Sequence, residues 1–250
     1  MLYIGIDLGT SACKLLLTDE TGDIKNIVSR SYPLDFPQPG WSEQDPAAWW
    51  QAVEKGIPAL LRGHDGAQVA GIGAGGQMHG LVVLDAADHV IRPAILWNDG
   101  RTADEVDYPN ETVGRETLSA RTANIAFAGF TAPKLLWMKK HEPELFARID
   151  KIMLPKDYIN YRLTGVHCTD PSDASGMLLY DVRHGMWSAE MLGICGVRET
   201  QMPRVFPSAA AVGTVLPEVA ARLGIPETTV VAAGAGDNAA AAVGTGTVGE

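Results

Sequence analysis

Met1-Leu-Tyr-Ile-Gly-Ile-Asp-Leu-Gly-Thr-Ser-Ala-Cys-Lys-Leu-Leu-Leu17 opens the chain, and its reading decides the fold. The apolar run from Leu2 to Ile6 predicts a strand that leads into Asp7 and a Gly9-Thr10-Ser11 turn. Cys13 to Leu17 predicts the returning strand, so the stretch reads as a β-hairpin. Its tip offers backbone N–H groups, two hydroxyls and one carboxylate. Glycine lets the backbone come close to a bulky anion, and hydroxyls and N–H groups donate to phosphate oxygens. Gly9, Thr10, Ser11 and the neighbouring Lys14 are therefore candidate nucleotide-phosphate ligands. Asp7 cannot bind phosphate directly, but it can hold Mg²⁺ or its water shell, because this hard cation takes carboxylate and phosphate oxygens together. An ordinary hairpin with a polar turn accounts for the same residues.

Working outward, Val28 to Tyr32 extends the hairpin into a three-stranded meander, with a turn at Asp19 to Asp23. A proline-rich loop ends in Trp41-Ser-Glu-Gln-Asp-Pro46, where Asp45 suits an N-cap and Pro46 the first helical position. That helix carries Trp49, Trp50, Val53 and Ile57 and stops near Pro58. Further strands are predicted at 68–74, 81–84, 90–97 and 229–233. Helices are predicted at 101–106, 132–141, 142–149, 156–163 and 216–223, with an Ala-rich helix from Asn238. Three strands in series followed by mixed strands and helices indicate one α/β domain with a mixed sheet. The last residues, Gly244 to Glu250, read as a cut rather than a natural terminus.

The 250 residues are 46% hydrophobic and carry a net charge of −10, which fits a soluble enzyme of the cytoplasm and opposes a nucleic-acid-binding surface. Cys13, Cys168 and Cys195 are scattered, which suggests a reducing compartment and no zinc site. No signal peptide is visible, and Asp237, Asn238 and several glycines break the apolar stretch 229–249, so no membrane span is expected. A homodimer is allowed, but the oligomeric state is not legible in the sequence.

Four further segments carry candidate chemistry. Gly71-Ile-Gly-Ala-Gly-Gly76 matches the letters of a dinucleotide fingerprint, yet a strand-like run follows where that fold needs a helix. The alternative is a sharp strand-end turn that exposes Gln77, Met78 and His79 to a small polar ligand; a purely structural histidine is the plainer reading. Trp97-Asn98-Asp99-Gly100-Arg101 joins an aromatic face to planar polar groups, a mix suited to sugars, and Asn98 or Asp99 would equally serve as a helix cap. In Gly234-Ala-Gly-Asp-Asn238, Asp237 sits where a strand turns into a helix. The helix N-terminus would lower its pKa. There it can simply cap the helix, or it can take a proton from an alcohol that attacks phosphate. Thr169 to Gly176 reads as a capped turn and short helix rather than a metal site.

Together these segments resemble the FGGY family of carbohydrate kinases, and within it the xylulokinase branch. The resemblance rests on Gly129-Phe-Thr-Ala-Pro-Lys-Leu-Leu-Trp-Met-Lys-Lys-His141, with a lysine three residues before a tryptophan, and on Trp41–Pro46, Gln77–Gly80, Leu96–Arg101, Leu154–Tyr158 and Gly236–Asn238 in the same order. It runs from Tyr3 to Val248. It implies an actin-like, ribonuclease-H-like domain, residues 1–250, which binds the sugar and supplies the catalytic base. A C-terminal ATP-binding domain would be missing from this chain, and the isolated fragment would be nearly inactive. The implied reaction moves the ATP γ-phosphate to the terminal hydroxyl of D-xylulose, with L-xylulose or D-ribulose as alternative sugars. By the same resemblance Asp237 is the base and Asp7 lies near Mg²⁺ and the phosphates. Met78 and His79 contact the sugar, with Gln77, Trp97, Asn98, Asp99 and Asn238 around it. The competing class is an actin-like ATPase without a sugar substrate.

Overall fold

The structure is a computed structural model and describes residues 1–247; Val248, the expected end of the resemblance, and the two residues after it lie outside the described residues. Three strands begin it: β1 (Leu2–Leu8), β2 (Ala12–Asp19) and β3 (Ile24–Ser31). All three pair antiparallel, with Asp7 opposite Lys14. Alternation explains the pairing, since Leu2, Ile4, Ile6 and Leu8 face the core while Tyr3 and Asp7 are exposed. The Asp19 carboxylate accepts from the Thr21 and Asp23 N–H groups and closes the β2–β3 turn.

α1 (Pro46–Leu60) starts on its Asp45 cap as expected and keeps Pro58 within its last turn. β4 (Val69–Gly76) then runs parallel to β1, so the central pair is a crossover and the sheet is mixed. Near the end of the chain, β5 (Ala211–Thr214), β6 (Val230–Ala232) and β7 (Ala235–Gly236) complete seven strands in the order β5-β6-β4-β1-β2-β3, with β7 beside the end of β4. α3 (Pro155–Thr164) packs on this sheet and ends on Gly165 in the left-handed conformation, while α2 (Thr131–His141) packs among other helices away from it. α4 (Pro171–Ala174) is one turn capped by Asp170. α5 (Pro217–Leu223) ends on Gly224, and α6 (Asp237–Gly244) follows β7 directly.

One apolar core joins the sheet to α1, α3 and α5, including Leu15, Trp49, Ile57 and Leu163. A second joins Leu81, Leu135, Trp137, Met177 and Trp187. Two expectations change. The strand at 90–97 shrinks to Ala94–Ile95, paired with Glu43–Gln44, because Arg92 leaves the ladder to pair with Glu43 and Glu142. The helix at 142–149 shrinks to Pro143–Phe146. The dinucleotide reading fails, because Gly76 leads into a turn and a strand at Val82–Leu84, not into a helix.

Candidate active site

β1, β2, β4 and β7 end around an open cleft of about 790 Å³ whose lining includes Asp7, Lys14, Ser208 and Asp237. Parallel pairing sets this up. Asp7 lies beside Gly75 of β4, and Gly75 lies beside Ala235 of β7. The carboxylates of two segments more than 200 residues apart in sequence thus reach one cleft. Side chains on the β4 glycines would crowd it, since a Cβ on Gly75 would lie 3.1 Å from the Ala240 methyl.

The hairpin tip is held from three sides. Gly9 N–H donates to the Ala12 carbonyl, and the Tyr32 hydroxyl donates to the Gly9 carbonyl. Trp97 Nε1 donates to Thr10 Oγ1 at 3.0 Å, and Gln44 Nε2 donates to the Thr10 carbonyl at 2.7 Å. Ser11 and Lys14 stay exposed. Cys13, opposite Leu8, is buried, and burial together with the Asp7 charge pushes its thiol up to about 12.

Asp237 is the first residue of α6 and is exposed to the cleft, with Asn238 N–H donating to its Oδ1 at 2.8 Å. Its carboxyl lies above the usual carboxylate range, against the expectation drawn from the helix N-terminus. Partial burial and the nearby Asp7 charge raise it, and together they outweigh the Asn238 hydrogen bond.

Met78 and His79 form the shelf beside it. A Cβ on Gly236 would lie 3.0 Å from Met78 Sδ, and Asn238 Nδ2 reaches Met78 Sδ at 3.9 Å. His79 adopts φ 65° and stacks on Phe130, with ring centroids 4.6 Å apart. Its Nδ1 lies 2.9 Å from the Gly176 carbonyl, which can only accept, so Nδ1 carries the proton. Burial holds the imidazole down to about 4, against the opposing Gly176 hydrogen bond, so the ring is neutral near pH 7 with Nε2 as an acceptor.

The signature helix explains how His79 is held. Lys134 is fully buried on α2, which pushes its pKa well below the ordinary lysine value, and its Nζ donates to the His79 and Gly129 carbonyls at 2.7 and 2.8 Å. Trp137, one turn on, is packed edge-on against Trp41, and the Arg101 guanidinium lies 3.7 Å over Trp41 and 5.0 Å over Trp137.

Two of the expected sugar contacts are held by bonds within the protein, although Gln77 Oε1 has no hydrogen-bond partner among the described residues. Asp99 is buried, and both its oxygens are taken by Arg101 and by the Ser42 N–H. It caps the turn and fixes Arg101 instead of offering a free acceptor. Gln77 is 2% exposed, and its Nε2 donates to Gln44 Oε1, which links the β4 end to the hairpin tip. Trp97, Asn98 and Asn238 remain exposed. Sequence reasoning did not single out Gln44, Phe130 or Gly176 as site residues. Their one signal in the sequence is position, inside Trp41–Pro46, Gly129–His141 and Thr169–Gly176.

A mixed sheet with a hydroxyl-bearing hairpin tip facing a strand-to-helix carboxylate defines an actin-like, ribonuclease-H-like domain of the kind found in sugar kinases. The chain matches the FGGY family of carbohydrate kinases, N-terminal domain, over residues 2–244. It belongs to that family. The xylulose kinase of Escherichia coli (strain K12) is 47% identical over 247 residues, covering 99% of this chain and 50% of the relative. The xylulose kinase of Klebsiella pneumoniae is 45% identical, covering 98% and 50%. The crystal structure of a xyloylose kinase from Brucella ovis superposes with a TM-score of 0.96 at 44% identity, over 100% of this chain and 51% of that one. The chain therefore spans about half the length of the curated relatives it matches.

Proposed function

We propose that residues 1–250 are the sugar-binding, base-supplying half of an ATP-dependent kinase that converts D-xylulose to D-xylulose 5-phosphate in the cytoplasm. The observation that carries this reading is that Asp237 and Asp7 share one cleft beside the Met78–His79 shelf. Support for the sugar comes from the relatives named xylulose kinase. The adenine pocket and a second phosphate loop would come from a C-terminal half.

ATP would supply the phosphoryl group, and a bound Mg²⁺ would screen its charge. The residues present fit both: Asp7 offers an exposed carboxylate, Lys14 a cation, and Thr10 and Ser11 hydroxyls at a turn where Gly9 admits close approach. Neutral His79 would accept a hydrogen bond from a sugar hydroxyl at Nε2, and Trp97 would cover the sugar's C–H face. Asp237 orients the terminal hydroxyl and accepts its proton as the oxygen–phosphorus bond forms and the bond to the leaving ADP oxygen breaks. Its raised pKa makes it a better base than an ordinary aspartate.

The test is ATP-dependent phosphorylation across a ketose and polyol panel by the kinase with both halves present. Activity should peak on D-xylulose, and Asp237→Asn should lower kcat by roughly 10²–10⁴-fold. A peak on L-xylulose or D-ribulose would reassign the pocket. ATP hydrolysis without transfer to any sugar would replace the reading with an ATPase.

A further inference from the structure

The segment Asp170–Met177, which contains α4, touches both chemical ends of the site. At one end Gly236, the residue before Asp237, donates its N–H to Ser172 Oγ at 3.1 Å. At the other, the Gly176 carbonyl receives the His79 Nδ1 proton at 2.9 Å. The two ends are themselves tied, since Ser175 Oγ donates to the Ser172 carbonyl at 2.8 Å.

The direction of each bond is forced. Ser172 has one hydroxyl proton, and it goes to Asp170 Oδ2 at 2.6 Å, so the oxygen must accept from Gly236. Asp170 also receives the Ser172 N–H and the Ser208 hydroxyl on the same oxygen. Its other oxygen lies 3.0 Å from the Lys156 ammonium. Lys156 is fully buried and also meets Asp157 at 2.6 Å and Asp173 at 3.5 Å. Burial pulls the ammonium down, but the three carboxylates together carry it above its ordinary value, so it stays charged. Asp170 is held below the usual carboxylate range, chiefly by Lys156 against its own burial, and so remains an acceptor.

Close packing leaves little play at either end. A Cβ on Gly176 would come 2.4 Å from His79 Cε1, and one on Gly76 would come 3.3 Å from Lys156 Cβ. A charged lysine sealed in the interior is costly unless its partners are fixed, which makes it a rigid anchor for the segment.

We propose that Asp170–Met177, anchored on Lys156, is a positioning strut that fixes the Asp237 backbone relative to the His79 ring, with Ser172 as its working contact. The proposal rests on the reading of Asp237 as the base and His79 as a sugar ligand. Ser172, Asp170 and Lys156 act through those residues and touch no reacting atom. Loosening Ser172 would leave the hairpin tip intact, because among the described residues none of its hydrogen bonds runs through the strut. The loss would therefore fall on kcat and on sugar KM, and not on ATP KM.

Two measurements test this. In the kinase with both halves present, Ser172→Ala should lower kcat for the sugar by about tenfold or more with ATP KM unchanged. Ser172→Thr, which keeps the hydroxyl, should recover most of the rate. In the ¹⁵N-labelled 250-residue chain, Ser172→Ala should speed hydrogen exchange at the Gly236 amide and shift the His79 ring nitrogens, with the far edge strand β3 unchanged. A folded Ser172→Ala enzyme with kcat within twofold of wild type would overturn the strut. Unchanged Gly236 exchange and His79 shifts would also overturn it. If the parent enzyme transfers phosphate to no sugar, the catalytic reading falls, and these two nuclear magnetic resonance readouts alone decide the strut.

Discussion

His79 departs from its ordinary chemistry twice, in a backbone at φ 65° and in an imidazole held down to about 4. A non-glycine residue in the left-handed region costs roughly 1–3 kcal/mol and persists only where surrounding contacts fix it. Lys134 and Thr131 supply those contacts by donating to the His79 carbonyl. The depressed pKa makes stability depend on pH. An unfolded imidazole titrates near ~6.5. Between that value and the folded one, the unfolded chain binds a proton that the folded chain refuses. The His79 contribution is therefore complete above about pH 6.5 and is lost as pH falls toward 4, by up to about 3 kcal/mol. Urea denaturation of the wild type and His79→Asn, at pH 7 and pH 4.5, checks this. Asparagine tolerates the positive φ and does not titrate, so the variant should lose less stability on acidification. An equal loss in both proteins would place the acid sensitivity elsewhere.

At the scale of elements, α3 shows how a legible helix hides an illegible role. Pro155 at its start and Gly165 just past its end mark its limits in the sequence. Nothing in the letters tells that Lys156, its second residue, is sealed among Asp157, Asp170 and Asp173. Lys156→Met would fill the volume but strand buried carboxylates, and we expect a loss of about 3–5 kcal/mol in a urea titration at neutral pH. A cost under 1 kcal/mol would mean that the cluster relaxes by taking up protons. The turn from β6 to β7 makes a second case. Gly234 has φ 80°, and a Cβ there would fall 2.0 Å from the Ala74 carbonyl oxygen of β4. Gly234→Ala should cost roughly 1–3 kcal/mol from backbone strain alone and should pull β7 off β4. Thermal melts would register the first effect, and amide exchange at Gly236 the second. A variant as stable as wild type would show that the turn can move away from β4.

Over the whole molecule, the sheet places one wall of a reaction cleft and leaves it open. The 250-residue chain alone should therefore fold cooperatively, bind D-xylulose weakly and transfer no measurable phosphate. Calorimetry and a coupled ADP assay on the purified chain check this, and robust turnover would refute the proposed division between halves. Much of the architecture was written locally. Alternating Leu2, Ile4 and Ile6, the Asp45-Pro46 helix start, and the glycines at 165 and 224 specify strands, caps and stops, because these depend on neighbours a few residues away. The hairpin tip and the Asp237 turn were legible for the same reason. Burial and partnership were not. Asp99 looked like an open ligand until Arg101 and the Ser42 N–H were found on its oxygens, Gln77 until its Nε2 was found donating to Gln44, and the direction of the Asp237 shift reversed because burial, with the Asp7 charge beside it, outweighs the hydrogen bond at the helix start. The sequence by itself determined the elements, the family and the residue types available for phosphoryl transfer. Only the tertiary structure decided which of those groups are free, which are neutral and which are clamped, because desolvation and charge pairing depend on residues brought together from far apart in the chain.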